Sequence, residues 1–141
     1  MVGTICYISY WSLYCIWSSN CKYDKFIMRQ EDKNLLIQDL CCRLPYRVKV
    51  KTNNINILEL GTHTRVGEYV TDVIEPCKPY LFPLSSMTDE QEEEYNNLNC
   101  WELGCFPHTE DALVYLIANH FDYRGLIPKG LAIDATGLNI Y

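Results

Sequence analysis

Apolar residues recur at four-residue spacing soon after Met28: Leu36, Leu40 and Leu44 share one side of a helix, and Leu35, Ile37 and Cys41 widen the stripe. The pattern predicts a helix over Glu31–Leu44, with Glu31 and Asp32 at the positive end of its dipole, Arg43 at the negative end and Pro45 as its stop. From Tyr46 the period changes to two. Val48 and Val50 alternate with Arg47, Lys49 and Lys51, which predicts a half-buried strand over Tyr46–Lys51. Thr52–Asn54 reads as a turn, Ile55–Leu60 as a second strand, Gly61–Thr64 as a second turn, and Arg65–Ile74 as a third strand that Gly67 bends. Connections this short leave no room for crossover helices, so an antiparallel meander is the simplest arrangement.

Between this half and the next lies Pro76–Thr88, where Pro76, Pro79 and Pro83 are interleaved with Tyr80, Leu81, Phe82 and Leu84. Such a composition suits an extended strap fixed by its rings rather than a helix or a central strand, with Tyr80 and Phe82 anchoring the helical half to the sheet. Thr88 followed three residues later by Gln91 has capping-box spacing and opens a short acidic surface helix. Asn96–Phe106 reads as an irregular loop that Trp101, Leu103 and Phe106 tuck onto the core. Thr109 caps a stronger helix over Thr109–Phe121, with Leu113, Leu116, Ile117 and His120 along one side and Gly125 in a left-handed turn beyond it. Leu131–Ile133 adds a short strand at the edge of the meander. The expected fold is α+β: a small antiparallel sheet of three to four strands packed against about three helices, in the order α-β-β-β-α-α-(β). Residues 28–137 make the single domain and residues 138–141 a tail.

Composition changes the picture at the N-terminus. Met1–Asn20 carries no charged side chain and is rich in Tyr, Trp, Cys, Ile and Ser. It has no basic n-region and no small-residue cleavage pattern, and its serines and tyrosines dilute it below the roughly 20 apolar residues of a spanning helix. Residues 1–27 are therefore read as an atypical segment, either upstream of a start at Met28 or poorly ordered, and membrane association is disfavoured unless that segment is real and ordered. The net charge of −6 is uneven: Met28–Glu75 balances seven Lys/Arg against seven Asp/Glu, while Pro76–Tyr141 sets three against ten. A nucleic-acid partner is disfavoured on the acidic half, which leaves Arg47, Lys49 and Lys51 as the weaker basic surface. The eight cysteines include the adjacent Cys41 and Cys42 and follow no regular spacing, so reduced thiols and a cytoplasmic location are expected. Cys100, Cys105 and His108 with Cys77 form a competing zinc set, but the spacing is not a two-residue knuckle, and no metal site is expected.

No glycine-rich phosphate loop, nucleophile elbow, HExxH or calcium loop appears in the chain. The polar set with the most chemistry is His120, Asp122, Tyr123 and Arg124, approached by Lys78, Tyr80, Ser85 and Ser86. An aspartate could orient the histidine, and the cations could meet an anion. With no nucleophile or metal assigned, these are binding candidates; no catalytic residue and no cofactor is assigned. His120 on an apolar stripe is more often a hydrogen-bonded structural histidine than a base.

The segments KPYLFPLSSMTDEQEEEY (Lys78–Tyr95) and HFDYRGLIPKGLAIDATG (His120–Gly137) resemble the two signature blocks of a family of small uncharacterised proteins of Bacteroides-type gut bacteria and their phages and prophages. The resemblance runs from about Met28 to the C-terminus and departs from the family over the first 27 residues. It implies an accessory protein of a mobile element but brings no activity, cofactor or catalytic residue. The function expected is a non-enzymatic protein-binding module acting on a host or phage protein. A small enzyme using His120 with Asp122 is the alternative, and purely structural roles for both blocks, with nucleic-acid binding through the basic cluster, the third.

Overall fold

Helix α1 (Gln30–Arg43) buries Leu36 and Leu40, as the four-residue period predicts, and carries Asp39 and Arg43 fully buried on the same face. Cys41 and Cys42 are exposed, so Cys41 does not widen the apolar stripe. Pro45 does not stop the helical run at once. Leu44–Tyr46 continues as a 3-10 turn with Pro45 near its start, where a missing N–H removes no helical bond. The computed structural model describes residues 28–52, 57–70, 77–99 and 109–141. The N-terminal segment 1–27, most of the first predicted hairpin tip and the stretch with Trp101, Leu103 and Phe106 lie outside these residues, as do Cys100, Cys105 and His108.

Strand β1 (Lys49–Lys51) pairs antiparallel with β2 (Leu58–Glu59), Lys49 opposite Glu59 and Val50 opposite Leu58. Val48 and Val50 are fully buried, so the alternation read from the sequence sets which side of the strand meets the core. The predicted third strand over Arg65–Ile74 is corrected. Val66–Glu68 is a 3-10 turn, and Val70 N–H donates to the Val66 carbonyl four residues back, which brings both valines into the core. A spacing of four places two residues on one face of a strand or of a helical turn alike, so the turn is shown by its hydrogen bonds and not by the burial of the two valines. Residues 71–76 lie outside the described chain.

The third strand is instead the proline-rich strap. Lys78–Leu81 forms β3, in the middle of a sheet ordered β2-β1-β3-β4, with Val50 opposite Pro79 and Tyr80 opposite Ile133 of β4 (Ile133–Asp134). The expectation that this segment could not be a central strand fails for a local reason. Each side of β3 is paired over two residues only, β1 at Lys78 and Pro79 and β4 at Tyr80 and Leu81, so Pro79 interrupts no long ladder. The β3–β4 pair is parallel, which makes the sheet mixed rather than wholly antiparallel. The class and the element order stand: among the described residues, three helices pack on one small four-stranded sheet.

Helix α2 (Asp89–Leu98) opens on a capping box, the Thr88 Oγ1 accepting from the Gln91 N–H at 3.3 Å and the Gln91 Oε1 accepting from the Thr88 N–H at 3.0 Å. Thr88 is exposed, so its removal tests the cap with little else disturbed. Thr88→Ala is expected to lower stability by about 1 kcal/mol in urea denaturation, and a change under about 0.3 kcal/mol would mean that the cap is idle. Helix α3 (Glu110–Ala118) starts at Thr109, whose Oγ1 accepts from the Ala112 N–H and donates to the Leu98 carbonyl at 2.8 Å. One hydroxyl thus caps α3 and closes the end of α2 against it. Ala112, Leu116 and Ile117 bury α3 as its apolar stripe predicts. Among the described residues, no helix is long and apolar enough to cross a membrane.

Candidate functional site

Helix α3 ends at Ala118, three residues before the predicted end, because His120 takes the left-handed conformation (φ 59°). Its N–H donates to the Ile117 carbonyl and the Phe121 N–H to the Leu116 carbonyl, the paired bonds of a Schellman turn. Glycine or asparagine is usual at that position; a histidine there carries steric strain of about 1–2 kcal/mol. The predicted left-handed glycine, Gly125 (φ 69°), serves the next turn instead.

That turn is where the two signature segments meet. The Phe82 N–H donates to the His120 carbonyl at 2.9 Å, and the Asp122 N–H donates to the Phe82 carbonyl at 2.8 Å. Between the two segments lies a groove of about 480 Å³, lined by rings and neutral polar groups that include Phe82, Phe121, Tyr141, Ser86, Asn119 and His120. Residues 138–141, expected to be a tail, are tied back into this site. The Tyr141 hydroxyl donates to the Tyr80 carbonyl and accepts from the Lys49 N–H, each at 2.9 Å, so it bridges β3 and β1. Its ring stacks on His120 with centroids 4.0 Å apart and lies 5.9 Å from the Phe82 ring. Lys49 Nζ holds the preceding residue through the Ile140 carbonyl. Burial pushes the Tyr141 phenol up to about 12, so it stays protonated and keeps its donor.

His120 is 7% exposed, and its Nδ1 has no hydrogen-bond partner. Burial, chiefly, holds its pKa down to about 4; the positive charge of Arg43 and, less, that of Lys49 add to this, against a hydrogen bond to the Tyr46 backbone that works the other way. At neutral pH the ring is therefore an uncharged imidazole. With the Tyr46 backbone bond on the ring, Nδ1 is left as an unpaired nitrogen shut from solvent.

The turn bearing His120 is locked from α1. The Arg43 guanidinium, wholly buried, donates to both Asp39 carboxylate oxygens at 2.7 and 3.1 Å and also to the Phe121 carbonyl at 2.8 Å and the Ile117 carbonyl at 3.3 Å. Those carbonyls belong to the C-terminal turn of α3, where a cation is favoured by the helix dipole. Arg124 approaches Asp39 from the other side at 3.5 Å, and both guanidinium groups lie over the Tyr123 ring, 5.7 Å away for Arg43 and 5.0 Å for Arg124. Sequence reading missed the Asp39–Arg43 pair. Its signal was present, since Leu36, Asp39, Leu40 and Arg43 follow the same three- and four-residue spacing as the core stripe.

The candidate residues divide among four places. His120 and Ser86 line the groove, Ser86 donating its hydroxyl to the Pro83 carbonyl. Tyr123 and Arg124 belong to the Asp39–Arg43 cluster, the Tyr123 hydroxyl accepting from Arg124 Nε at 2.8 Å. Asp122 is buried and turned the other way: its two carboxylate oxygens accept from the Leu126 and Ile127 N–H groups at 2.7 and 2.8 Å, and no hydrogen bond joins it to His120. Tyr80 is buried in β3, Lys78 is half-buried at its start, and Ser85 is exposed beside the groove-lining Ser86. Of the basic cluster, Arg47 pairs with Glu59 at 3.4 Å, Lys49 serves Ile140, and Lys51 is exposed. Cys77, from the zinc set, is a buried thiol that burial pushes up to about 11. Among the described residues no cluster of three or more His, Cys, Asp or Glu could hold a metal ion. Comparison with protein-family models, with curated proteins and with solved structures finds no match to this chain.

Proposed function

We propose that this chain is a small non-enzymatic protein-binding module, an accessory protein of a mobile element, whose recognition site is the groove between the Phe82–Ser86 segment and the C-terminal turn of α3. His120 carries this reading. Strain, burial and an unsatisfied Nδ1 fall together on one residue at the wall of the groove, and a fold forfeits stability in this way where a ligand is met. The geometry favours binding over catalysis. Asp122 is committed to the Leu126–Ile127 backbone rather than to His120, and an imidazole held at a pKa near 4 is a weak base at neutral pH. The rings and neutral amides of the groove suit a neutral protein surface better than an anion.

The test compares capture from a Bacteroides-type host by the wild-type chain and by Ala118→Phe, which fills the groove from the last turn of α3. A partner retained by the wild type and lost by the variant, with binding by the purified partner showing the same loss and with circular dichroism unchanged, is the expected outcome. Equal capture by both proteins, or by neither, overturns the proposal.

A further inference from the structure

We propose that residues 138–141 form a strap with two positions, whose release opens the groove to a ligand while β1 and β3 pair directly in place of the Tyr141 hydroxyl; for the groove as the binding site this rests on the binding-module reading above.

The register of the sheet shows where the strap intrudes. Lys51 stands opposite Lys78 and Val50 opposite Pro79, so the next pair along β1 and β3 is Lys49 with Tyr80. Pro79 has no N–H, which makes its pair with Val50 the kind without hydrogen bonds and its two neighbouring pairs the hydrogen-bonded kind. The Lys49 N–H is therefore due to donate to the Tyr80 carbonyl. It donates to the Tyr141 hydroxyl instead, and that hydroxyl donates to the Tyr80 carbonyl, each at 2.9 Å. Two residues on, the same side of β3 serves the end of α3, the Phe82 N–H donating to the His120 carbonyl. The phenol is thus a wedge in the ladder, at the seam between β1 and the turn that bears His120.

Neither position strands a backbone group. With the strap seated, the N–H and the carbonyl share the hydroxyl; with it released, they bond to each other and the hydroxyl to water. What holds the strap is the ring stack on His120, the edge of Phe82 and the Lys49 Nζ bond to the Ile140 carbonyl. These contacts lie at the surface, Tyr141 being 40% and Leu138 50% exposed. A hinge is present in Gly137 (φ 75°) and Asn139 (φ 48°), left-handed residues of the two types that enter and leave that region most readily. Because Tyr141 lines the groove, lifting it widens the groove by the volume of a phenol and bares one face of His120 and part of Phe82. A ligand that fills the widened groove binds the released form alone and so draws β1 and β3 together.

The test reads the new bond itself, as the scalar coupling across a hydrogen bond between the Lys49 amide nitrogen and the Tyr80 carbonyl carbon, in the full chain. The wild type should show none, and Tyr141→Ala should show it. Tyr141→Phe, which drops only the hydroxyl, should show it as well, because a seated phenylalanine would leave both backbone groups unpaired. Benzyl alcohol, a neutral aromatic probe followed by the ring resonances of Phe82 and Phe121, should bind Tyr141→Ala about ten-fold more tightly than the wild type, as where about one molecule in ten has the strap released. At saturation it should bring out the coupling in the wild type. No coupling in either variant, no gain in affinity for the probe, or a probe-saturated wild type without the coupling overturns the switch and marks Tyr141 as a fixed part of the sheet. The binding-module reading survives that outcome where Ala118→Phe still loses the partner that the wild type captures. Where Ala118→Phe loses no partner, that reading fails and the coupling between Lys49 and Tyr80 is untouched.

Discussion

Arg43→Leu is expected to lower the stability of the domain by about 3–5 kcal/mol, the loss typical of breaking a buried ion pair from one side. The substitution keeps the apolar bulk of the side chain but leaves the buried Asp39 carboxylate without its bidentate partner and the Phe121 and Ile117 carbonyls without a donor. Arg124, 3.5 Å from Asp39 and partly exposed, cannot replace two short charge-assisted bonds. The double substitution Asp39→Leu with Arg43→Leu should recover much of the loss, because it removes the stranded charge along with its partner. Urea denaturation of the two single variants and the double variant measures the coupling. A loss under about 1 kcal/mol for Arg43→Leu would contradict the role given to the pair.

Acid should destabilise this fold earlier than carboxylate protonation alone requires. The folded-state pKa of His120 is about 4, against roughly 6.5 in an unfolded chain, so between those values the unfolded state takes up a proton that the folded state refuses. Stability from this group is fully present above pH 6.5 and is lost as the pH falls through 4, at up to about 1.4 kcal/mol per pH unit and about 3 kcal/mol in all. His120→Asn isolates the effect, since asparagine tolerates the left-handed turn and does not titrate. Denaturation midpoints from pH 7.5 to 4.5 should fall more steeply for the wild type than for His120→Asn. Parallel curves would mean that His120 titrates in the fold as it does in the unfolded chain and would contradict the lowered pKa. Arg43→Leu should also move the His120 titration upward, because Arg43 is one of the charges that hold it down.

Much of the fold was legible because it follows from local rules. The stripe of Leu36 and Leu40, the alternation of Val48 and Val50, and the Thr88–Gln91 and Thr109 caps each depend on residues within one turn or one strand, and each is found where the sequence places it. The errors share a different cause. Pro79 argues against a central strand only when a long ladder must cross it, and the two-residue pairings of β3 could not be read from composition. Val66 and Val70 look like strand residues by type, and a spacing of four puts them on one face of a strand or of a helical turn alike, so nothing local separated the two.

The site was half legible. The segments Lys78–Tyr95 and His120–Gly137 do meet, through Phe82 and His120, and His120 and Ser86 share the groove between them. The His120–Asp122 neighbourhood in sequence did not become a pair in space, because the left-handed turn at His120 sends Asp122 toward the Leu126–Ile127 backbone. Tyr141 gave no signal at all. Its role depends on contacts with residues 49, 80 and 120, which only the folded chain brings to one place.

The fold holds His120 as a neutral imidazole in the wall of the groove, with Nδ1 unpaired and shut from solvent. The most direct test is a long-range proton–nitrogen NMR titration of the His120 ring from pH 3 to pH 8. A single neutral tautomer is expected at pH 7, protonated at Nε2 and bare at Nδ1, with a midpoint near 4. A midpoint near the ordinary value of about 6.5, or a proton on Nδ1 at neutral pH, would contradict this.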